Sequence, residues 1–78
     1  MSKKKFVTKW NVIVTHDDGS ENIYPHECDG LPTNDMLRRS MDRYDRADVR
    51  SLRVMNCLGK CIMMRYGSAY DVFGIFDA

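Results

Sequence analysis

The sequence predicts a single α+β domain: a small antiparallel sheet in the order β-β-α-β-β plus a short C-terminal segment, with one helix packed on one face. Three observations support this prediction. Apolar and polar residues alternate in two pairs of segments, and each pair is joined by a turn that contains glycine. One segment between the pairs has apolar residues at helical spacing. The length of 78 residues allows one hydrophobic core and no second one.

The first hairpin is predicted on either side of an Asp18-Gly19 turn. Alternation from Phe6 to Val14 is typical of a strand with one apolar face. The Asp-Gly pair suits a tight turn because glycine accepts a positive φ. The return strand runs from Glu21 to Cys28 and contains Pro25, which cannot donate a ladder hydrogen bond. We therefore expect this strand at an edge of the sheet or broken at the proline.

A helix is predicted after the loop at residues 29–32. It begins at an N-cap, Thr33 or Asn34, and ends near Arg46 or Ala47. The prediction depends on apolar residues that recur at helical spacing, namely Met36, Leu37, Met41 and Tyr44, with Ser40 on the same face.

The second hairpin joins a strand from Val49 to Asn56 with a strand from Cys61 to Tyr66. A three-residue loop places Cys57 opposite Cys61, and the remaining pairs follow by counting. A two-residue loop at Leu58-Gly59 is the alternative and shifts the register by one residue. We prefer the three-residue loop, because it sorts apolar residues to the helix side. It places on the other face two directly opposed pairs, Arg53 with Arg65 and Met55 with Met63.

The two ends of the chain are predicted to differ. Residues 1–5, which contain three lysines, are expected to form a flexible tail before a domain over residues 6–78. The segment from Tyr70 to Phe76 is apolar, so we expect it to form a short fifth strand or to cover the end of the core.

Composition excludes several classes of function. The net charge of +1 gives no overall attraction to nucleic acid, and no apolar run is long enough to span a membrane. The N-terminus lacks the apolar region of a signal peptide, which predicts a cytoplasmic protein. Three cysteines are an odd number, and reduced thiols are expected.

No catalytic or metal site is predicted. His16 and His26 have no spacing that ties either one to a nucleophile, so we expect no enzymatic activity. Zinc is the alternative considered for four potential ligands. Their spacing departs from the usual zinc patterns, so no metal and no cofactor are expected. The four residues are His26, Cys28, Cys57 and Cys61.

Protein binding is the function that the pattern favours. Arginine and methionine are enriched at protein interfaces, and the face away from the helix is predicted to carry both. The residues expected there are Arg53, Met55, Met63 and Arg65. Acidic residues near the first turn could imitate phosphates; they are Asp17, Asp18 and Glu21. A homodimer through the sheet face or an edge strand would cover the same surface. The alternative function is an RNA- or DNA-binding module that uses the arginines of the second half.

The order of several short motifs resembles the small uracil-DNA glycosylase inhibitors of Bacillus phages. The resemblance covers about residues 10–58, and its motifs are Asp17-Asp18-Gly19, Tyr24, His26, Gly30-Leu31, Asn34-Asp35-Met36 and Leu52-Arg53-Val54. In that family an aromatic residue of the helix enters a pocket of the glycosylase. Met36 stands at the matching position here, which is a departure from the family pattern.

The resemblance implies a phage-type inhibitor that binds a host protein or protein complex. The target would be a defence system or an enzyme that processes nucleic acid, as for anti-CRISPR proteins and RNA polymerase inhibitors. Met36 would be a partner contact, and the site of action would be the host cytoplasm. Binding to nucleic acid directly is the less favoured partner class, and no membrane is involved.

Overall fold

The computed structural model describes residues 6–73, which form four strands and two helices. The strands pair antiparallel in the order β2-β1-β3-β4. This confirms the predicted α+β class, and β2, the strand that contains Pro25, is an edge strand. The predicted tail at residues 1–5 lies outside the described residues. The elements are β1 (Val7–His16), β2 (Glu21–Asp29), α1 (Asn34–Asp42), β3 (Val49–Asn56), β4 (Cys61–Tyr66) and α2 (Ser68–Phe73).

The core lies between α1 and one face of the sheet. Trp10, Val12 and Val14 alternate along β1 and are at most 5% exposed, as the period of two predicts. The indole Nε1 of Trp10 donates to Ser40 Oγ at 3.1 Å, so a buried hydroxyl and a buried ring nitrogen satisfy each other. The remaining buried apolar side chains of this core are Leu37, Met41, Val49, Leu52 and Val54.

Helix α1 is shorter than its apolar spacing predicts. It begins as expected, because the Thr33 hydroxyl accepts the N–H of Met36 at 3.1 Å. It ends at Asp42, however, and not near Arg46 or Ala47. The Tyr44 ring stacks on Tyr24 with ring centroids 4.0 Å apart. This contact between elements takes the place of another helical turn.

The register of the second hairpin differs from the one that the three-residue loop predicts. Leu52 pairs with Arg65 and Val54 pairs with Met63, so the pairing over residues 51–54 is the register of the two-residue alternative. Cys57 does not face Cys61, because the register shifts after Val54 and Cys61 pairs with Met55 instead. Since a shift of one residue moves every side chain to the opposite face, the predicted faces of β4 are wrong.

Asn56 explains this register. Its side-chain oxygen accepts the N–H groups of Leu58 and Lys60, both at 2.9 Å, and its own N–H donates to the Lys60 carbonyl oxygen. Four residues, 57–60, therefore form the turn. Gly59 occupies it with φ +81°, a conformation that favours glycine.

The described part of the C-terminal segment, residues 70–73, lies in a helix and not in a fifth strand. Helix α2 runs from Ser68 to Phe73, and the rest of the predicted segment lies outside the described residues. The Asp45 carboxylate accepts the Ser68 N–H at 2.9 Å and the Ser68 hydroxyl at 2.6 Å. A residue 23 positions earlier in the chain therefore caps the start of α2.

Candidate interaction surface

The sheet has a second face, opposite α1, which we call the open face. Four side chains form a row across all four strands, because Ile23 pairs with Ile13, Ile13 with Arg53, and Arg53 with Met64. Ile23 at one end is 62% exposed and Met64 at the other is 53% exposed. The open face includes Val7, Lys9, Asn11, Ile13, Thr15, Glu21, Ile23, Pro25, Glu27, Asp29, Ser51, Arg53, Met55, Ile62, Met64 and Tyr66.

Arg53 is held in place at the centre of this row. Its guanidinium Nη2 donates to Glu21 Oε2 at 2.9 Å, so the side chain reaches from β3 across β1 to β2. Ile13 lies on β1, between β2 and β3, and is only 9% exposed, although it faces away from α1. The centre of the open face is therefore packed and ordered, and it presents a defined surface rather than a set of free side chains.

The two sides of the open face differ in character. On β4, Met64, Tyr66 and Ile62 are all exposed and apolar or aromatic. On β2, Glu21 and Glu27 are exposed carboxylates. Glu27 has no ion pair among residues 6–73, although Lys9 lies directly opposite it on β1. An apolar side and an acidic side thus lie on one surface.

A depression of about 550 Å³ lies near the β3–β4 turn. Lys9, Asn11, Pro25 and Glu27 contribute to its lining from the open face, together with Cys57 of the turn. It is open to solvent and has room for a side chain of a partner protein.

Two of the four residues predicted for the outer face of the second hairpin lie on the open face. Arg53 and Met55 do so, as predicted. Arg65 and Met63 face α1 instead, and that part of the prediction is wrong. Ile23 and Met64 also lie on the open face but were not among the predicted contacts. Ile23 was predictable, because the Asp18-Gly19 turn places it directly opposite Ile13.

Arg65 belongs to the packing beneath α1. Its guanidinium donates to Asp42, and it donates to Asp45 Oδ2 at 2.9 Å. Burial alone would raise the pKa of the Asp45 carboxyl, but the hydrogen bonds from Ser68 and Arg65 hold it below its usual value. The ion pairs stabilise Arg65 on the side that the register gives it, since Asp42 and Asp45 both lie on the α1 side of the sheet.

The three acidic residues predicted to imitate phosphates contact other parts of this chain. Asp18 accepts hydrogen bonds from the Ser20 hydroxyl and N–H, which lower the pKa of its carboxyl. The Asp17 carboxylate accepts the Tyr70 hydroxyl, and Glu21 binds Arg53. All three remain exposed at one end of the first hairpin.

Met36 lies apart from the open face. It is 39% exposed on α1, on the opposite side of the sheet. Its neighbours include Arg39 and Arg43, which line a cavity of about 250 Å³ together with Trp10 and His26. Burial, and then the charge of Arg43, lower the pKa of His26.

The four residues considered for zinc are not brought together. His26 Nε2 forms a hydrogen bond with the Tyr44 hydroxyl at 2.8 Å, and Cys28 Sγ donates to the Gly30 carbonyl oxygen. Cys57 and Cys61 are exposed and free at the second turn. Within residues 6–73, no group of three or more metal-ligating side chains is found.

Comparison with known proteins gives no relative of this chain. No protein-family model matches it, and neither a curated protein nor a solved structure matches it. Neither helix within the described residues has the length and apolar character needed to cross a membrane.

Proposed function

We propose that this chain is a non-enzymatic protein-binding domain that docks through its open face and acts in the cytoplasm. The observation that carries this proposal is the row from Ile23 to Met64, which is packed at its centre and exposed at both ends. Exposed apolar side chains that lie together on an ordered surface are typical of protein interaction sites. Tyr66, Met55 and the central Arg53 add the residue types that are enriched in interfaces.

The chemistry of the open face defines the partner. The apolar β4 side fits an apolar patch, and the acidic β2 side fits basic residues at the rim of that patch. Enzymes that act on nucleic acid present basic surfaces. An inhibitor of such an enzyme, the role implied by the resemblance to the glycosylase inhibitors, would therefore be a suitable biological role for this domain.

An affinity capture experiment with matched variants tests the proposal. Wild-type protein, Ile23→Lys and Leu58→Lys are each immobilised and exposed to a lysate of the natural host. Leu58 is the control, because it is 85% exposed in the β3–β4 turn, outside the open face. Both variants introduce the same charge at an exposed apolar position, so folding stability should stay close to that of the wild type.

We expect wild type and Leu58→Lys to retain the same protein, and Ile23→Lys to lose it. Burying an isoleucine side chain contributes about 1.5–3 kcal/mol, so the Kd for the purified partner should rise about tenfold or more. Equal capture by Ile23→Lys and wild type would exclude the open face as the docking surface.

A second candidate function is binding of nucleic acid beside α1. Among residues 6–70, whose side chains the structure describes, no carboxylate lies within ion-pair distance of Arg43 or Arg46, and Tyr44 lies between them in the sequence. Contacts with phosphates would make affinity fall steeply as salt rises. Binding to single-stranded RNA or DNA that is lost in the double variant Arg43→Ala, Arg46→Ala would favour this function over the first.

A further inference from the structure

The sheet has two edges, and they differ in how they are protected. Edge strands usually avoid pairing with other chains through proline, charged side chains or a cover. The β2 edge has Pro25 and two exposed glutamates, Glu21 and Glu27. The β4 edge, with the sequence Cys-Ile-Met-Met-Arg-Tyr, has no proline. Its one charged residue, Arg65, faces α1 and is paired with carboxylates there.

The hydrogen-bond pattern shows which backbone groups of β4 face outward. The Gly67 N–H donates to the Arg50 carbonyl oxygen at 2.9 Å, so the next bonded pairs of this antiparallel ladder are Leu52 with Arg65 and Val54 with Met63. The residues between these positions direct their backbone groups the other way. Met64 lies between Met63 and Arg65, so its N–H and C=O groups point away from β3 along the edge.

We propose that a second copy of this chain pairs antiparallel with β4 and joins the two sheets into one of eight strands. A two-fold axis pairs the β4 edge of one copy with the β4 edge of the other, so the assembly closes as a dimer. This inference goes beyond the proposed function and does not depend on it, because it uses the backbone edge of β4, whereas docking uses the side chains of the open face, with Ile23 at the opposite edge.

Two geometric requirements define the register. Residues opposite each other must share a face, and outward-directed backbone groups must meet outward-directed groups. The register that pairs the most residues within β4 places Met64 opposite Met64 of the second copy. Ile62 then lies opposite Tyr66 of that copy, and Met63 lies opposite its Arg65.

The side chains of β4 suit this pairing with its own copy. On the open face all the opposed pairs are apolar or aromatic, and on the other face each arginine meets a methionine. No like charges are opposed, whereas opposed like charges would destabilise the pair. A partner strand with glutamates like those of β2 would lack this complementarity.

Sedimentation equilibrium at about 100 μM protein tests the assembly, because association depends on concentration. We expect the wild type to have twice the monomer mass of 9.1 kDa. Met64→Lys would place two lysines opposite each other at the axis and should remain monomeric. Ile23→Lys makes the same change at the other edge and should dimerise as the wild type does.

Each outcome decides the proposal. A wild type that remains monomeric, or a folded Met64→Lys that dimerises fully, would overturn it. A monomeric Ile23→Lys together with a dimeric Met64→Lys would also overturn it and place the interface near β2. A dimeric Ile23→Lys that loses partner capture would support both proposals, and a dimeric Ile23→Lys that keeps partner capture would contradict only the function proposed above.

A cysteine cross-link tests the register. In a variant with serine at positions 28, 57 and 61, Met64→Cys would bring two thiols together across the axis. Directly opposed residues of a hydrogen-bonded pair have Cα atoms about 5.5 Å apart, which is within the range of disulfides. Oxidation with diamide should link the Met64→Cys dimer and leave Ile62→Cys unlinked. The reverse result would contradict this register.

Discussion

Asp45→Ala should destabilise this domain more than any other loss of a single carboxylate among the ion pairs described. The Asp45 side chain is 8% exposed and makes contacts with two later elements. It accepts hydrogen bonds from Arg65 of β4 and from the N–H and hydroxyl of Ser68, which begins α2. Its removal leaves Arg65 with one carboxylate and leaves the start of α2 without a cap.

The magnitude follows from these contacts. Breaking a buried ion pair costs about 3–5 kcal/mol, but Arg65 keeps Asp42 and is itself 30% exposed, which reduces the cost. Loss of a helix cap adds about 1 kcal/mol. We expect a decrease of about 2–3 kcal/mol in the free energy of unfolding, which lowers the Tm of a domain of this size by roughly 10–20 °C.

Urea denaturation followed by circular dichroism measures this change, with Asp35→Ala as the matched control. Asp35 pairs with Arg39 at 3.1 Å on the exposed surface of α1, where such a pair contributes less than about 1 kcal/mol. Folding lowers the pKa of Asp45, so this carboxylate contributes to the free energy of unfolding above about pH 4. The contribution is lost as the pH falls further. Equal destabilisation in the two variants would refute the role of Asp45.

Three further predictions follow from the same structure. Gly67→Ala should cost about 2 kcal/mol or more in urea denaturation, because a Cβ there would overlap the main-chain oxygen of Val49; an unchanged midpoint would contradict that contact. Burial lowers the pKa of His26, so the free energy of unfolding should decrease as the pH falls below about 6.5, and His26→Gln should make this decrease smaller. A His26→Gln variant with the same pH profile as the wild type would contradict this role of His26. Hydrogen peroxide should oxidise Met64 faster than Met63, as measured by mass spectrometry, whereas the register of the three-residue loop predicts the reverse.

The elements that depend on local pattern were predictable from the sequence. Alternation in β1 predicts its buried face, Pro25 predicts the edge position of β2, and Thr33 predicts the start of α1. Each of these features depends on residues close together in the chain, where backbone geometry and local hydrogen bonds decide the structure.

The interaction surface was predictable only in part, because it depends on the register of one hairpin. The bulge after Val54 and the hydrogen bonds of the Asn56 side chain shift the pairing by one residue. This shift moves Arg65 beneath α1 and brings Met64 to the open face. The contacts of Asp45 with Arg65 and Ser68 join residues at least 20 positions apart, and no local pattern indicates them.

Methionine oxidation in the complex with the captured partner tests docking through the open face most directly. Met64 and Met36 are both exposed in the free protein, at 53% and 39%, but they lie on opposite sides of the sheet. If the partner covers the open face, binding should slow the oxidation of Met64 and leave that of Met36 unchanged. Slower oxidation of Met36, with no change at Met64, would show that the partner binds beside α1 instead.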